Sequence, residues 1–336
     1  MATNERIVWV DYMKAFSIMA VMLYHTNIMP EIKSLAYILC LPAFFFTSGM
    51  FANTRTSPWE FFRQRTLRLL IPYVVFGILS WTAWLFIGRK YGADTDVEIA
   101  WWQPLVGLLG GQVEILTPNP PLWFLCCLIC LEWIYYLVSH ITQQNIRWII
   151  ACLISASGCA LGYLGIVGYW EITAAMLVLP LYMLGVEYQR HIAEKKWSPG
   201  LLAALGILAV GGILLGYMYN PNMHISTCQT GNPVFFYITL LAVTSLWLVI
   251  AKLIHSIGHL RVLQFFGKNT LIILCTHIPL FGLIKGICMI SHVPLSFFDT
   301  NIGSITLWVC SLLMVVPVIY AINRFFPWAI GRRPNP

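Results

Sequence analysis

Long apolar runs separated by short polar segments are the feature that most constrains this chain. A run of about 20 apolar residues crosses a bilayer as an α-helix, because in lipid every backbone polar group must be hydrogen-bonded within the segment or to protein. With 59% hydrophobic and only 10% charged residues, a soluble domain is excluded. The sequence therefore predicts an all-α fold, a polytopic bundle of about ten transmembrane helices. The predicted spans are residues 7–29, 34–53, 69–88, 121–140, 147–168, 171–189, 198–219, 233–254, 268–290 and 302–325.

Lysine and arginine are distributed unevenly between the two sides of these spans. Because such residues concentrate in cytoplasmic loops, both termini are predicted to be cytoplasmic. The outer segments then hold only Lys33, Arg89 and Lys90, while Lys14 and Lys285 fall inside spans. The net charge of +7 follows from this topology, so nucleic-acid binding is not indicated. The inner segments hold 15 of the 20 basic residues, namely Arg6, Arg55, Arg63, Arg65, Arg68, Arg147, Arg190, Lys195, Lys196, Lys252, Arg261, Lys268, Arg324, Arg332 and Arg333.

The chain is predicted to form one membrane domain over residues 1–336. The first apolar run has no small-residue cleavage site after it, so no signal peptide is expected. Neither an internal repeat nor an inverted pair of halves is evident, which disfavours a secondary transporter. Cys126, Cys127 and Cys130 form a Cys-x-x-Cys spacing inside an apolar run. Without a second pair we interpret them as apolar packing, and no metal site is expected.

The longest outer segment, Gly88 to Pro120, combines several carboxylates with an apolar piece, IAWWQPLVGLLGG. Trp101 and Trp102 are typical of the headgroup level, so this piece is predicted to lie on or dip into the outer leaflet. A loop of this length often covers a site. A second polar outer loop is expected from Asn220 to Pro233.

The first run carries three ionisable groups, Asp11, Lys14 and His25. Such groups are costly inside a membrane helix and mostly face a bundle interior or a water-filled cavity. Lys14 and His25 are separated by about 1100° of helical rotation, so they share a face, about 16 Å apart along the axis. The spacing indicates a polar stripe running into the membrane. The alternative is that Asp11 and Lys14 pair at a helix end and His25 is a satisfied interfacial histidine.

Three arginines precede the third span, and two ionisable groups lie in later spans. One α-helical turn separates Arg65 from Arg68, so their guanidinium groups can converge on a phosphate or diphosphate, with help from Arg63. Positive-inside anchoring or contact with anionic lipid is the equal alternative. Glu132 lies near the middle of the fourth span. His277, about halfway through the ninth, is either a core hydrogen-bonding residue or part of a polar cavity.

Five motifs follow one another along the chain in a recognisable order. They are Lys14 and His25 with ten residues between them, LPAFFFTSG from Leu41, Arg-x-x-Arg at 65 and 68, LWFL at 122–125, and a Gly-x-x-Thr-Leu…His pattern at 267, 270, 271 and 277. In this order the sequence resembles the acyltransferase 3 family of integral membrane acyltransferases, and within it the branch related to sugar O-acetylases. Many members of that family carry a fused esterase-like soluble domain, which this chain is expected to lack.

The resemblance implies transfer of an acyl group, usually acetyl from acetyl-CoA, to a hydroxyl of a cell-envelope carbohydrate. The acceptor would be an envelope glycan or a lipid-linked sugar, and the protein would sit in the bacterial cytoplasmic (inner) membrane. No metal cofactor is expected, and a homo-oligomer is left open. The alternative function is non-enzymatic: flipping or exporting a polysaccharide or its lipid-linked precursor.

Acyl transfer from a thioester to an alcohol needs a general base and stabilisation of an oxyanion. His25 is the candidate base because an unperturbed imidazole has a pKa of about 6.5. Glu132 is a candidate carboxylate to orient that base, and His277 is a further candidate of the catalytic site. The predicted ligands of the acyl-CoA phosphates are Lys14, Arg63, Arg65 and Arg68.

Overall fold

The structure, a computed structural model, describes residues 7–91, 99–193, 195 and 197–332. No β-strand occurs in these residues, and the regular elements are all helices, so the predicted all-α polytopic fold is confirmed. The cytoplasmic placement of the termini stays a prediction. Arg6, Lys196 and Arg333 lie outside the described part of the chain, and so do three carboxylates of the predicted outer segment from Gly88 to Pro120, namely Asp94, Asp96 and Glu98.

The described residues form fifteen α-helices joined by short turns. They are α1 (Val8–Tyr24), α2 (Pro30–Cys40), α3 (Pro42–Met50), α4 (Pro58–Phe61), α5 (Leu67–Ala83), α6 (Arg89–Tyr91), α7 (Gln103–Gly110), α8 (Trp123–Ser139), α9 (Gln144–Tyr163), α10 (Ile172–His191), α11 (Pro199–Tyr219), α12 (Pro233–Ile257), α13 (Arg261–Lys268), α14 (Thr270–Ile290) and α15 (Asn301–Phe325). Two π-helical turns, Phe62–Thr66 and Trp84–Gly88, continue α4 into α5 and α5 into α6.

Nine helical segments of the described chain are long and apolar enough to cross a bilayer. They match the last nine predicted spans, although the second, Pro30–Met50, is interrupted at Leu41, where Pro42 begins α3. The first predicted span, 7–29, is shorter than expected: α1 has 17 residues and ends before His25. Its length is about 26 Å, slightly below the thickness of a typical hydrocarbon core. Pro30 starts α2, which limits how far α1 can continue.

The described chain groups into two compact units. The first comprises the residues through Ala52, Leu181–Met223 and Gly231–Thr270, and the second comprises Asn53–Pro180, His224–Thr230 and Leu271 onward. The prediction of a single domain over residues 1–336 stays a prediction.

Helix α1 is the centre of the first unit, where it packs against α2, α3, α12 and α13. Its side chains are apolar on almost every side, which is the pattern of a helix buried all round. Tyr12, Met13, Ile18 and Met22 are completely buried. The charged residues of α1 therefore lie on a helix that is surrounded by other helices.

The LPAFFFTSG motif forms α3, which crosses the second half of α10 within the first unit. A side chain at Gly49 would collide with the backbone carbonyl of Tyr182, and one at Gly185 would collide with that of Phe46. Two small residues thus let the two helices approach backbone to backbone, as is common between membrane helices. The glycine of the LPAFFFTSG motif is therefore the point at which α3 and α10 come closest to steric contact through their backbones.

In the second unit, α5 packs against α7 and α8. The Tyr73 hydroxyl, about halfway along Pro58–Gly88, donates a hydrogen bond of 2.6 Å to the Leu108 carbonyl. Asn119, 2% exposed, donates from Nδ2 to Ser80 Oγ at 3.0 Å and to the Cys275 carbonyl at 2.9 Å. The apolar piece of the predicted outer segment contains α7 and packs on α5, and Asn119 ties the end of the same segment to α5 and α14.

Candidate active site

The first two predicted site residues lie on α1 and at its C-terminal cap. Lys14 and His25 are both half-buried, while the residues between them are buried or half-buried and mostly apolar. The Lys14 ammonium lies 5.3 Å from the centroid of the Phe51 ring, within range of a cation–π interaction. Since α1 has no interruption between Val8 and Tyr24, the two residues keep the shared face and the axial separation of about 16 Å that the sequence predicts.

His25 caps α1, and its ring is held by the helix it ends. Nδ1 lies 2.8 Å from the carbonyl oxygen of Val21, and the Tyr24 ring meets the imidazole edge-on at 4.9 Å between centroids. A carbonyl can only accept a hydrogen bond, so Nδ1 carries the proton and donates it. The neutral imidazole then has its lone pair on Nε2. This is the tautomer that a general base acting through Nε2 requires.

The other end of α1 is fixed by α13, which belongs to the Gly-x-x-Thr-Leu motif region. A side chain at Gly267 would collide with the backbone carbonyl of Asp11, so α13 meets α1 backbone to backbone. The Tyr12 hydroxyl also accepts a hydrogen bond of 3.0 Å from the Leu260 amide. The motif glycine is therefore explained by helix packing beside the buried Asp11.

The arginine segment of the second unit departs from α geometry. Arg63 and Arg65 lie in the π-helical turn Phe62–Thr66, and Arg68 follows in the first turn of α5. The predicted one-turn spacing of Arg65 and Arg68 assumed a regular α-helix, and the structure corrects that assumption. π-Helical turns are rare and occur frequently at functional sites.

Helix α8 holds this turn by one face. Glu132, 5% exposed, accepts a contact of 3.5 Å from Nη1 of Arg65, and the Trp133 indole N–H donates to Thr66 Oγ1 at 2.8 Å. One turn later along α8, the Tyr136 hydroxyl donates to the Thr56 carbonyl at 2.9 Å. Helix α8 thus bonds to side chains inside the π-helical turn, at Arg65 and Thr66, and to the backbone ahead of it, at Thr56.

Aromatic packing completes the same face of α8. The Phe61 ring lies 5.0 Å from the Trp133 ring and 4.5 Å from the Tyr136 ring, between centroids. We call Glu132, Trp133 and Tyr136 the α8 clamp. Glu132 was predicted as a carboxylate that orients the base, and the contact that it makes in its own unit is with Arg65. The other two clamp residues were not predicted, because no sequence signal marks a π-helical turn.

His277 is completely buried in α14. Nδ1 lies 2.9 Å from the Ile273 carbonyl, and the Phe281 ring meets the imidazole edge-on at 5.9 Å. As at His25, the carbonyl fixes the proton on Nδ1. Burial and a bond to the preceding turn match the core hydrogen-bonding alternative. The catalytic role of His277 stays a prediction.

The predicted site residues fall into groups that belong to different stretches of the chain. Lys14, within α1, and His25, the residue that caps α1, both belong to the first unit. Arg65 and Glu132 are in contact in the second unit. The exposed Arg63 and Arg68 belong to the same stretch as Arg65.

The connection between α11 and α12 holds two further titratable groups, in residues 224–230. The His224 amide donates to the Gln229 carbonyl at 2.7 Å. Burial lowers the pKa of His224, so this imidazole is neutral near pH 7. Burial, together with the Glu171 carboxylate, raises the pKa of Cys228 to about 12. Its thiol is therefore protonated and a poor nucleophile.

The acyltransferase domain family model matches residues 7–324, nearly the whole chain. The chain belongs to the acyltransferase 3 family. The resemblance inferred from the five motifs is thus confirmed at the level of the family, and this family member is a membrane acyltransferase. No curated protein and no solved structure matches the chain.

Proposed function

We propose that this acyltransferase moves an acyl group, specifically acetyl, from acetyl-CoA to a hydroxyl of a cell-envelope carbohydrate in the bacterial cytoplasmic membrane. The observation that carries the proposal is the Nδ1 contact of His25 with the Val21 carbonyl, in a chain of an acyltransferase family. This contact sets the tautomer that a general base requires, and His25 is one of the residues of the family motif.

The chemical step requires the imidazole in both of its protonation states. Nε2 of His25 accepts the proton of the acceptor hydroxyl while the hydroxyl oxygen attacks the thioester carbonyl carbon. The tetrahedral intermediate collapses by breaking its carbon–sulfur bond, and the imidazolium returns the proton to the departing thiolate. The products are the O-acetyl ester and CoA, and His25 is regenerated as the neutral tautomer.

Cationic side chains on the chain suit the charge of the donor. The phosphates of CoA carry several negative charges, and planar guanidinium groups recognise phosphate through two parallel hydrogen bonds. Lys14, Arg63, Arg65 and Arg68 are the proposed ligands. Glu132 is the proposed positioning residue. Its carboxylate contacts one edge of the Arg65 guanidinium, and this contact fixes the direction in which the remaining N–H groups point.

Consumption of the thioester tests this proposal against the export alternative. The purified full-length protein, given acetyl-CoA and an extract of envelope glycans, should release free CoA and leave acetate esters on the glycan. A deletion strain should lack the same ester, which would identify the sugar and the hydroxyl. An exporter has no reason to react with acetyl-CoA. Export of unmodified glycan without any CoA release would therefore overturn the proposed enzyme.

A further inference from the structure

We propose that a small cavity in the second unit, between α5, α7 and the segment before α8, receives the acetamido group of an amino sugar in the acceptor carbohydrate. The N–H of that group donates to Oδ1 of Asn119, and its methyl group fills the cavity. The inference rests on the carbohydrate acceptor of the proposed function and adds the chemical class of one of its sugars.

The walls of the cavity come from three neighbouring stretches of this unit. Gly77 and Trp81 belong to α5, Leu108 belongs to α7, and Asn119 lies in the segment that leads into α8. Two prolines and two further leucines complete the lining. The cavity has room for about one group of the size of a water molecule or a methyl group. Since Trp81 and Leu108 are half-buried, the cavity borders the surface of the unit through them.

The Asn119 side chain is held in one orientation. Its Nδ2 donates to Ser80 Oγ at 3.0 Å and to the Cys275 carbonyl at 2.9 Å. A carbonyl can only accept, so the amide nitrogen must face this carbonyl and Oδ1 must point the other way. Oδ1 is buried and has no hydrogen-bond partner in the part of the chain that the structure describes. A buried acceptor in this state costs free energy, so the site is complete only when a donor occupies the cavity.

Among the residues that the structure describes, the lining of the cavity offers no free hydrogen-bond donor. The amides of Leu116, Asn119 and Leu122 donate to backbone carbonyls of their own segment. The indole N–H of Trp81 donates to the Trp101 carbonyl at 2.8 Å. The two prolines have no N–H, and the other lining residues have their amides bonded within α5 and α7. Carboxylates, phosphate diesters and the acetyl thioester bring acceptors and no donor, so the cavity does not suit them.

An acetamido group suits this cavity better than water or a hydroxyl does. A buried water is typically held by about two to four polar partners, whereas the described lining has one unbonded polar side-chain atom, Asn119 Oδ1. A hydroxyl oxygen carries lone pairs that the apolar walls would leave unsatisfied. In a trans amide, the N–H and the acetyl methyl group lie on the same edge. That edge presents one donor and one apolar group, while the carbonyl oxygen points away from the cavity.

Binding of simple glycosides tests the inference on the full-length protein in detergent. The probes are methyl N-acetylglucosaminide and methyl glucoside, which has a hydroxyl in place of the acetamido group. The acetamido probe should bind about tenfold more tightly, and saturation-transfer NMR should show the strongest saturation at its acetyl methyl protons. The N-propionyl analogue should lose most of this gain, because the cavity has no room for a second carbon. Equal Kd values for the three probes would overturn the inference.

A variant that fills the cavity without changing Asn119 locates the probe. A Cβ atom on Gly77 would lie 2.5 Å from Cδ2 of Leu108, so Gly77→Ala adds a methyl group and displaces the Leu108 side chain. The Kd for the acetamido probe should rise about tenfold, with that for methyl glucoside near the parental value. Gly282→Ala in α14 of the same unit is the matched control, since nothing lies within 4 Å of its added methyl group. A parental preference in Gly77→Ala, or an equal loss for both probes, would overturn the inference.

Acetyl transfer to an extract of envelope glycans separates failure of this inference from failure of the proposed function. Methyl N-acetylglucosaminide should inhibit formation of the acetate esters, and methyl glucoside should not. If CoA is released and esters form but neither glycoside inhibits, the cavity is not an acceptor subsite and the proposed enzyme stands without it. If the acetamido probe binds but no glycan brings about CoA release, the proposed enzyme is wrong and the inference falls with it.

Discussion

Helix α1 with its cap, His25, and the π-helical turn together carry four of the seven predicted site residues, and the two regions are held in different ways. Apolar side chains surround α1, and its backbone hydrogen bonds are continuous from Val8 to Tyr24. His25 is oriented by a carbonyl of the same helix. The π-helical turn is held from outside, by an ion pair, hydrogen bonds and aromatic rings of α8. The orientation of His25 is thus a local property, whereas that of Arg65 depends on a partner 67 residues along the chain.

The difference predicts separate kinetic signatures for the two regions. A group that acts on the reacting atoms affects kcat, whereas a remote contact with phosphate acts largely as uniform binding and affects KM. Substitutions in α1 near His25 should therefore lower turnover. Substitutions in the α8 clamp should weaken donor binding.

The largest effect is expected at His25. His25→Ala should lower kcat by about 10²–10⁴-fold, the contribution typical of general-base catalysis, with CoA affinity near that of the parent. Turnover of acetyl-CoA and the Kd for CoA are measured on the same preparation. Retention of more than about a tenth of the parental kcat would exclude His25 as the base.

The next effect concerns the packing that positions α1. Gly267→Ala places a methyl group against the Asp11 carbonyl and should destabilise the protein by about 1–3 kcal/mol or more, as overpacking does. Thermal unfolding in detergent is the measurement. Gly211→Ala in α11 is the control, because nothing lies within 4 Å of the added methyl group. Equal melting temperatures for the two variants would show that α13 does not fix α1.

The two regions also differ in how far sequence could predict them. The helices follow from apolar runs of bilayer length, and the shared face of Lys14 and His25 follows from a fixed rotation per residue. The π-helical turn requires α8 to supply bonds to Thr56, Arg65 and Thr66, and those contacts are tertiary. No periodicity encodes them, which is why Arg65 and Arg68 were placed on a regular α-helix.

The interruption of the second span and the end of the first had clearer signals. Pro30 and Pro42 begin α2 and α3, and proline at the first helical position marks a helix start. Gly49 lies at a point of close approach between helices, which is a common use of small residues in membrane helices. Its partner, Tyr182, could not be read from the sequence, since backbone contacts leave no side-chain pattern.

A smaller effect is expected at Glu132. Glu132→Gln keeps the size and one acceptor oxygen but removes the negative charge that faces Arg65 at 3.5 Å. The contact is longer than the 2.7–2.9 Å of strong charge-assisted bonds, so we expect KM for acetyl-CoA to rise about three- to tenfold with little change in kcat. Tighter CoA binding in this variant would contradict the positioning role, because it would show that Glu132 competes with the donor for Arg65.

The smallest effect concerns the Trp133 indole, whose N–H donates to Thr66 Oγ1 at 2.8 Å. Trp133→Phe keeps an aromatic ring against Phe61 and removes this bond, and Thr66→Val removes the same bond from the other side. A net hydrogen bond contributes about 0.5–1.5 kcal/mol, and this one affects the donor only through the turn, so each variant should raise KM for acetyl-CoA by the lower part of that range, about two- to fivefold. Because both changes delete the same interaction, the double variant should be no worse than the more affected single variant.

Strictly additive effects of the two substitutions would contradict the α8 clamp, since groups that do not interact contribute independently. Parental KM values in all three variants would show that the turn keeps its geometry without α8, and the contrast with α1 would then disappear.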